Sequence, residues 1–327
     1  MCVLEKVQLG RSNLEVSALA LGTDLIGTKI DRRTSFELLD FFYSQGGTFL
    51  DTANIYAYWL PGFAGGESES TIGAWMKDRG TRDKVVISSK VAFDYPGSPG
   101  GLKASEIERE CEKSLLRLQT DRIDLYQAHR DDRETSLEET MEAFSRLVQA
   151  GKVRALGASN LAIWRIVEAN AVARANGWSE YSVIEQRYTY LRPRHAADFG
   201  PQIFMDSDLK DYAQANRITL IGYSVLLQGA YTRADRELPA QFAGPDADTR
   251  LEAIRFVARE VGCSPNQVVL AWMRQSTPSI LPIIAGSRIE QLRENIAALE
   301  IQLTADQLRF LDTAGDPVIE RAWLQPT

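Results

Sequence analysis

Residues 48–58 read TFLDTANIYAY, so that an apolar pair, Phe49 and Leu50, runs into Asp51 and a phenol, Tyr56, follows five residues later. Two other apolar runs stop on groups able to do chemistry: VVISSK closes on Lys90, and IDLYQAH closes on His129, one of 2 histidines in the chain. A tyrosine with its ordinary pKa of ~10 is a poor proton donor or acceptor near neutrality. A buried ammonium beside the phenol favours phenolate and is expected to lower that pKa, while a carboxylate keeps the ammonium charged and oriented. A nearby imidazole can donate a hydrogen bond to a carbonyl oxygen. Together the four groups suit general-acid reduction of a carbonyl to an alcohol, with hydride supplied from elsewhere. Taken singly, each has a bland explanation: a rim lysine, a structural histidine, an aspartate capping a turn. Only a fold that gathers them makes a site.

The elements that must position them are short apolar runs alternating with amphipathic segments. Strands are expected at 18–21, 48–50, 85–88, 123–127, 155–158, 183–185, 219–222 and 281–284. Between them lie DRRTSFELLDFFYSQ, KASEIERECEKSLLRLQT and SLEETMEAFSRLVQAG, with helical spacing. In the last, Leu137, Met141, Phe144 and Leu147–Val148 form one stripe, Ser136 and Glu139 have capping-box spacing, and Gly151 suits the helix end. Strand–helix alternation requires parallel pairing, and eight units predict an α/β fold of the closed (β/α)8, or TIM-barrel, type. An open nucleotide-binding sheet should carry G-x-G-x-x-G after its first strand, and LGTDLIGT lacks that spacing. YPGSPGG at 95–101 has no phosphate-loop lysine and reads as a long loop. No linker divides the chain, so residues 1–327 are expected to form one domain with its active site at the C-terminal ends of the strands.

Composition narrows the classes. The chain has 327 residues, of which 44% are hydrophobic and 25% charged, and a formal net charge of −7. That acidity, without a basic run, argues against a nucleic-acid or anionic-membrane partner. No segment has the ~20 apolar residues of a membrane span, and the first residues lack a signal-peptide core, so a cytoplasmic protein is expected. Cys2, Cys111 and Cys263 are scattered and form no C-x-x-C, which disfavours disulfides and zinc. HRDD at 129–132 is a weak ligand set, and no metal is expected.

Six segments in order resemble the aldo-keto reductase family: LGRSNLEVSALALGT, FLDTANIY, VVISSKV, DRIDLYQAHRDD, GKVRALGASN and LPIIAGSRIEQLRENIAALE. The resemblance covers nearly the whole chain and implies the (β/α)8 barrel. It also implies a catalytic tetrad of Asp51, Tyr56, Lys90 and His129, with Tyr56 the acid in reduction and the base in oxidation. A nicotinamide dinucleotide bound without a Rossmann domain is implied as well. Ser159, Asn160 and Gln186 match residues that hold the carboxamide, and Tyr223 matches the aromatic stacked on the nicotinamide. Thr23, Asp24 and Asp51 would lie near that ring, and Ser224 and Leu226 along the diphosphate. Gly286, Ser287 and Arg288 open a predicted helix whose N–H groups suit a phosphate. Arg288 could pair with the 2′-phosphate of NADP. Glu294 and Asn295 match the adenine-contacting pair. Three positions depart from the family pattern. Ala57 stands where glycine is usual and Val225 where proline is common. Gln291, within the cofactor segment, replaces a residue that is often basic. NADPH is the favoured cofactor, with NADH as the alternative.

The substrate is expected to be a small carbonyl compound or alcohol. Tyr58, Trp59 and Phe93, with Arg130 beside His129, are candidate pocket residues, and an aromatic, polycyclic or sugar-like carbonyl would suit them. Phe63, Tyr95, Tyr188, Tyr190 and Arg192 are further mouth candidates, and Trp323 either closes the pocket or anchors the tail. Two alternatives stay open: a nucleotide-binding regulatory subunit of a membrane channel with vestigial catalysis, and an NAD(P)-dependent sugar or alcohol dehydrogenase. Oligomeric state is not legible.

Overall fold

The computed structural model describes residues 4–233 and 235–316; Cys2 and Trp323 lie outside the described residues. Eight parallel strands close a barrel: β3 (Ala20–Gly22), β4 (Phe49–Asp51), β5 (Val86–Val91), β6 (Ile123–Ala128), β7 (Val153–Ser159), β8 (Tyr181–Arg187), β9 (Thr219–Tyr223) and β10 (Ile280–Ile284). Closure comes from β10, which pairs in parallel with both β9 and β3. Each expected run is a strand. Several extend further than their apolar core, because parallel strands buried on both faces keep pairing into polar residues.

Before the barrel comes an antiparallel hairpin, β1 (Lys6–Gln8) and β2 (Glu15–Ser17), which the apolar pattern did not announce. Its strands have three residues each, and only Val7 and Val16 among them are apolar. Leu9, Leu14 and Val16 from this segment pack under Ala20, Phe49, Val86, Leu125, Ala155, Val183, Ile221 and Leu281. These inward residues make one apolar layer that plugs the N-terminal end of the barrel. Gly10, in the hairpin turn, has φ +52°, and a Cβ there would come within 2.1 Å of the Ser182 carbonyl oxygen. Only glycine satisfies both demands.

The ring of helices is α1 (Arg32–Ser44), α2 (Glu67–Arg79), α3 (Ala104–Leu118), α4 (Leu137–Gln149), α5 (Ile163–Ala175), α6 (Ser207–Asn216), α7 (Pro245–Val261), α8 (Pro265–Gln275), α9 (Ile289–Ala297) and α10 (Ala305–Thr313). In α4, Met141, Phe144 and Leu147 are buried while Leu137 and Val148 flank them, as the stripe predicts. Ser136 Oγ accepts from the Glu139 N–H at 3.2 Å. Glu139 does not complete the box. Its carboxylate instead accepts the Ala104 N–H at 2.9 Å, tying the start of α4 to that of α3. Gly151 follows the helix with φ +73°, the left-handed conformation of a helix end.

Candidate active site

The same strands that are apolar at their N-terminal ends turn polar two residues later. Inward positions alternate along a strand, so Phe49 leads to Asp51, Val86 to Ser88 and Lys90, Leu125 to Gln127, and Val183 to Glu185. Asp51 is the last residue of β4, and His129 follows β6 directly. Tyr56 sits in the loop after β4. That loop is pinned to β5, where the Thr52 N–H donates to the Ser88 carbonyl at 2.9 Å and the Asn54 N–H to the Lys90 carbonyl at 3.3 Å. The buried Glu110 carboxylate on α3 braces it from outside, accepting from Asn54 Nδ2 and Tyr95 Oη, each at 2.7 Å.

Lys90 is wholly buried and gathers the site. Its Nζ donates to both Asp51 carboxylate oxygens at 2.7 Å, to Tyr56 Oη at 2.9 Å and to the Thr52 carbonyl at 3.0 Å. Tyr56 Oη in turn donates to Asp51 Oδ2 at 3.2 Å. His129 lies edge-on to Tyr56 with ring centroids 6.0 Å apart. The four residues thus meet, as convergence of three strand ends requires.

The electrostatics differ from the expectation in one respect. The Tyr56 phenol is held well above its usual pKa, first by burial and then by the charges of Asp51, Glu185 and Asp24. Lys90 was expected to lower it, but one ammonium is outweighed by desolvation and three carboxylates. At neutral pH the phenol keeps its proton, the form an acid needs. Burial holds the His129 imidazole well below its usual value, with Lys90 and Arg130 adding to the effect, so it is neutral and offers one N–H. Asp24 is raised, chiefly by burial.

Glu185 was not singled out in the sequence. Its carboxyl lies 3.5 Å from Lys90 Nζ and accepts from Gln127 Nε2 at 2.8 Å. Gln127 Nε2 also reaches Ser88 Oγ at 2.9 Å, and Ser88 Oγ donates to Asp51 Oδ1 at 3.0 Å. The usable signal was period two: a polar residue two places beyond an inward valine must face the barrel interior. Gly157 makes room for this ring of contacts, since a Cβ there would meet Gln127 Oε1 at 2.8 Å.

Cofactor candidates occupy the other arc of the rim, at the ends of β7, β8, β9, β10 and β3. Asn160, in the left-handed region at φ +60°, donates to the His129 carbonyl and to Ser159 Oγ, each at 3.0 Å. Its oxygen accepts from Tyr223 Oη at 2.7 Å. Gln186 donates to the Leu161 carbonyl at 2.8 Å, while its buried Oε1 has no partner among the described residues. An orphaned acceptor beside Ser159 and Asn160 fits the amide of a nicotinamide carboxamide. Ser224 is exposed and lines an open cleft of about 640 Å³ together with Arg187, Gln202 and Gln228. Leu226 follows, half-buried, after the buried Val225.

Several candidates are otherwise engaged. Thr23 Oγ1 donates to the Asp51 carbonyl at 2.7 Å and meets Ser68 Oγ at 2.8 Å, so its one hydroxyl proton goes to the barrel wall. At the start of α9 the Gln291 side-chain oxygen accepts the N–H groups of Ser287 (2.8 Å) and Arg288 (3.2 Å). A phosphate there must displace it. Gly286 packs within reach of Gln291 and Leu292. Arg288 is exposed and makes no ion pair among the described residues. Glu294 accepts from Ser264 Oγ at 2.5 Å, and Asn295 is buried, donating to the Ala285 carbonyl at 3.4 Å.

Of the pocket candidates, Phe93 stands edge-on to His129 at 4.8 Å, and the Arg130 guanidinium lies 5.0 Å over the Phe93 ring. Trp59 is edge-on to Tyr56 at 6.2 Å and is 49% exposed, with Tyr58 beside it at 5.8 Å. Tyr188, Tyr190 and Arg192 are engaged with other parts of the structure. Tyr188 stacks on Trp272, Tyr190 Oη donates to the Leu311 carbonyl, and Arg192 pairs with Asp316. In HRDD, Asp131 pairs with Arg165, and Asp132 accepts the Leu102 N–H and the Thr135 hydroxyl.

Comparison with known proteins adds identity. Residues 18–316 match the model of the "Aldo/keto reductase family". The chain is 36% identical over 325 residues to the uncharacterized oxidoreductase YrpG of Bacillus subtilis (strain 168), covering 94% of this chain and 95% of that one. It is 29% identical to an aryl-alcohol dehydrogenase of Pestalotiopsis microspora, covering 93% of this chain and 80% of the relative. The crystal structure of a thermostable aldo-keto reductase, Tm1743, with the inhibitor epalrestat superposes with a TM-score of 0.75 at 28% identity, over 95% of this chain and 99% of that one. The chain is an oxidoreductase and belongs to the aldo/keto reductase family.

Proposed function

We propose that this enzyme reduces an aldehyde or ketone carried on an aromatic body, using NADPH. The observation that carries the reading is the buried Tyr56–Lys90–Asp51 contact set beside a neutral imidazole. The carbonyl oxygen accepts hydrogen bonds from Tyr56 Oη and from the His129 N–H, which together polarise it and stabilise developing negative charge. When bound, a nicotinamide dinucleotide would supply the hydride. Tyr56 then gives its proton to the alkoxide oxygen, and Lys90, fixed by Asp51, stabilises the resulting phenolate. Ser159, Asn160 and Gln186 would hold the carboxamide, Tyr223 would supply a face for the nicotinamide, and Arg288 would recognise the 2′-phosphate. Phe93, Trp59 and Tyr58 supply apolar faces to the substrate, which supports an aromatic carbonyl. The name of the Pestalotiopsis relative, an aryl-alcohol dehydrogenase, points to the same class and to the reverse reaction on the same site.

Nicotinamide absorbance during turnover, with NADPH and NADH side by side against aromatic aldehydes and the matching alcohols, tests this reading. Preferential NADPH consumption with aryl aldehydes is expected. Nucleotide binding with no turnover in either direction would contradict it. Arg288→Ala should weaken NADPH about tenfold or more, and NADH little, in a fluorescence titration; charge-assisted bonds to phosphate justify that size. Equal weakening would remove Arg288 from the 2′-phosphate.

A further inference from the structure

Glu185 takes no part in the proton transfer from Tyr56. Glu185 is buried on β8, its carboxyl 3.5 Å from the Lys90 ammonium that also serves Asp51 and Tyr56. It is joined to Asp51 a second way, through Gln127 and Ser88, at successive distances of 2.8, 2.9 and 3.0 Å. The contacts form a closed ring, Lys90–Glu185–Gln127–Ser88–Asp51, with Tyr56 Oη resting on its Lys90–Asp51 side. Two carboxylates on one ammonium leave an excess negative charge beneath the phenol whenever both are ionised.

We propose that Glu185 is a positioning residue whose carboxylate offsets Lys90 and thereby keeps the proton on Tyr56, biasing the site toward reduction. This rests on the assignment of Tyr56 as the acid. The elements packed around Glu185 bring the following groups. β4 brings Asp51, β5 brings Lys90, and the turn after β3 brings Asp24. β6 contributes the uncharged Gln127, and β9 contributes Tyr223, whose own phenol Glu185 helps to raise. β7 offers Ser159 alongside Glu185, and β10 is apolar. Arg187, two residues on, is turned to Gln202 and the Tyr223 ring. Lys90 is therefore the cation that Glu185 meets. Burial and the Asp51 charge push the Glu185 carboxyl up to about 7, against the opposing pull of Lys90 and Gln127. Below that value the charge is lost and its hold on the phenol proton weakens; above it the hold is complete.

The test is the pH dependence of kcat/KM for alcohol oxidation, which needs Tyr56 as phenolate, in wild type, Glu185→Gln and Glu185→Asp. Glu185→Gln keeps an acceptor for Gln127 but removes the charge. Its acid limb should move down by about one pH unit or more, the scale of one buried charge acting at close range. Glu185→Asp should restore the limb toward the wild-type position even if kcat falls. A limb unmoved in a folded Glu185→Gln protein would overturn the proposal, since a merely structural residue shifts kcat and not the limb. Tyr56→Phe separates the two levels. Wild-type-like turnover in that variant overturns the acid assignment itself, whereas its inactivity together with an unmoved Glu185→Gln limb overturns the Glu185 role alone. Should Glu185→Gln fail to fold, carbon-13 labelling of tyrosine ring Cζ atoms in the wild-type enzyme, with the Tyr56 signal assigned by its loss in Tyr56→Phe, decides the matter. A Tyr56 phenol that keeps its proton beyond its ordinary pKa of ~10 supports the proposal, and one that titrates below that value overturns it.

Discussion

The two halves of the barrel interior are made by the same strands, two residues apart, and they do opposite work. In the lower half, Phe49, Val86, Leu125, Ala155 and Val183 close on Leu9 and Leu14 of the hairpin and contain no charge. In the upper half, Asp51, Ser88, Lys90, Gln127 and Glu185 occupy the next inward positions and form a wholly polar, hydrogen-bonded set. Packing of the lower layer is stabilising on its own. The upper layer is held in place by the lower one at a cost in desolvation, since buried ions regain only part of their hydration from one another. Backbone strain gathers on the same side: Ala57 and Ala92, next to the loop of Tyr56 and the strand of Lys90, have φ +78° and +139°. Strain persists where surrounding structure imposes it.

Removing Lys90 breaks this division most severely. Lys90→Met leaves Asp51 and Glu185 facing each other without a cation, and a loss of about 3–5 kcal/mol in urea unfolding is expected near neutral pH. A fully stable Lys90→Met would mean that the upper layer is not strained by its charges. Leu125→Ala attacks the lower layer. It should cost about 2–4 kcal/mol through the cavity it leaves, yet spare kcat at temperatures where the protein stays folded. An equal loss of kcat and stability would show that the two halves are not separable. The smallest effect sharpens the comparison at one residue. Ala57→Gly should relieve a left-handed alanine and change stability by no more than about 1 kcal/mol, because glycine's extra freedom in the unfolded chain offsets part of the gain. A larger loss would show that the Ala57 methyl, which is buried, packs more strongly than its backbone is strained.

The fold was legible because each barrel strand is a short apolar run buried on both faces, and the tetrad because strand ends are where such runs stop on ionisable residues. The hairpin escaped notice since its three-residue strands carry too little pattern. Roles that depend on a distant partner were equally hidden. Thr23 is committed to Ser68, 45 residues away, and Glu294 to Ser264, 30 residues away; neither pairing has a local signature. Gln291 reads as a departure from the family pattern, but its capping of the Ser287 and Arg288 N–H groups depends on the path of the turn before α9, which the residue types alone do not fix. The direction of the phenol's shift is hidden for a related reason: it depends on burial and on Glu185 and Asp24, which lie far from Tyr56 in sequence.

The central claim is that Tyr56 gives up the proton. Single-turnover nicotinamide absorbance with Tyr56→Phe, alongside a nucleotide titration of the same variant, tests it most directly. Turnover about 10²–10⁴-fold slower, with nucleotide binding within a few-fold of wild type, is the predicted result. Turnover near the wild-type rate would contradict the account and move the proton source elsewhere in the site.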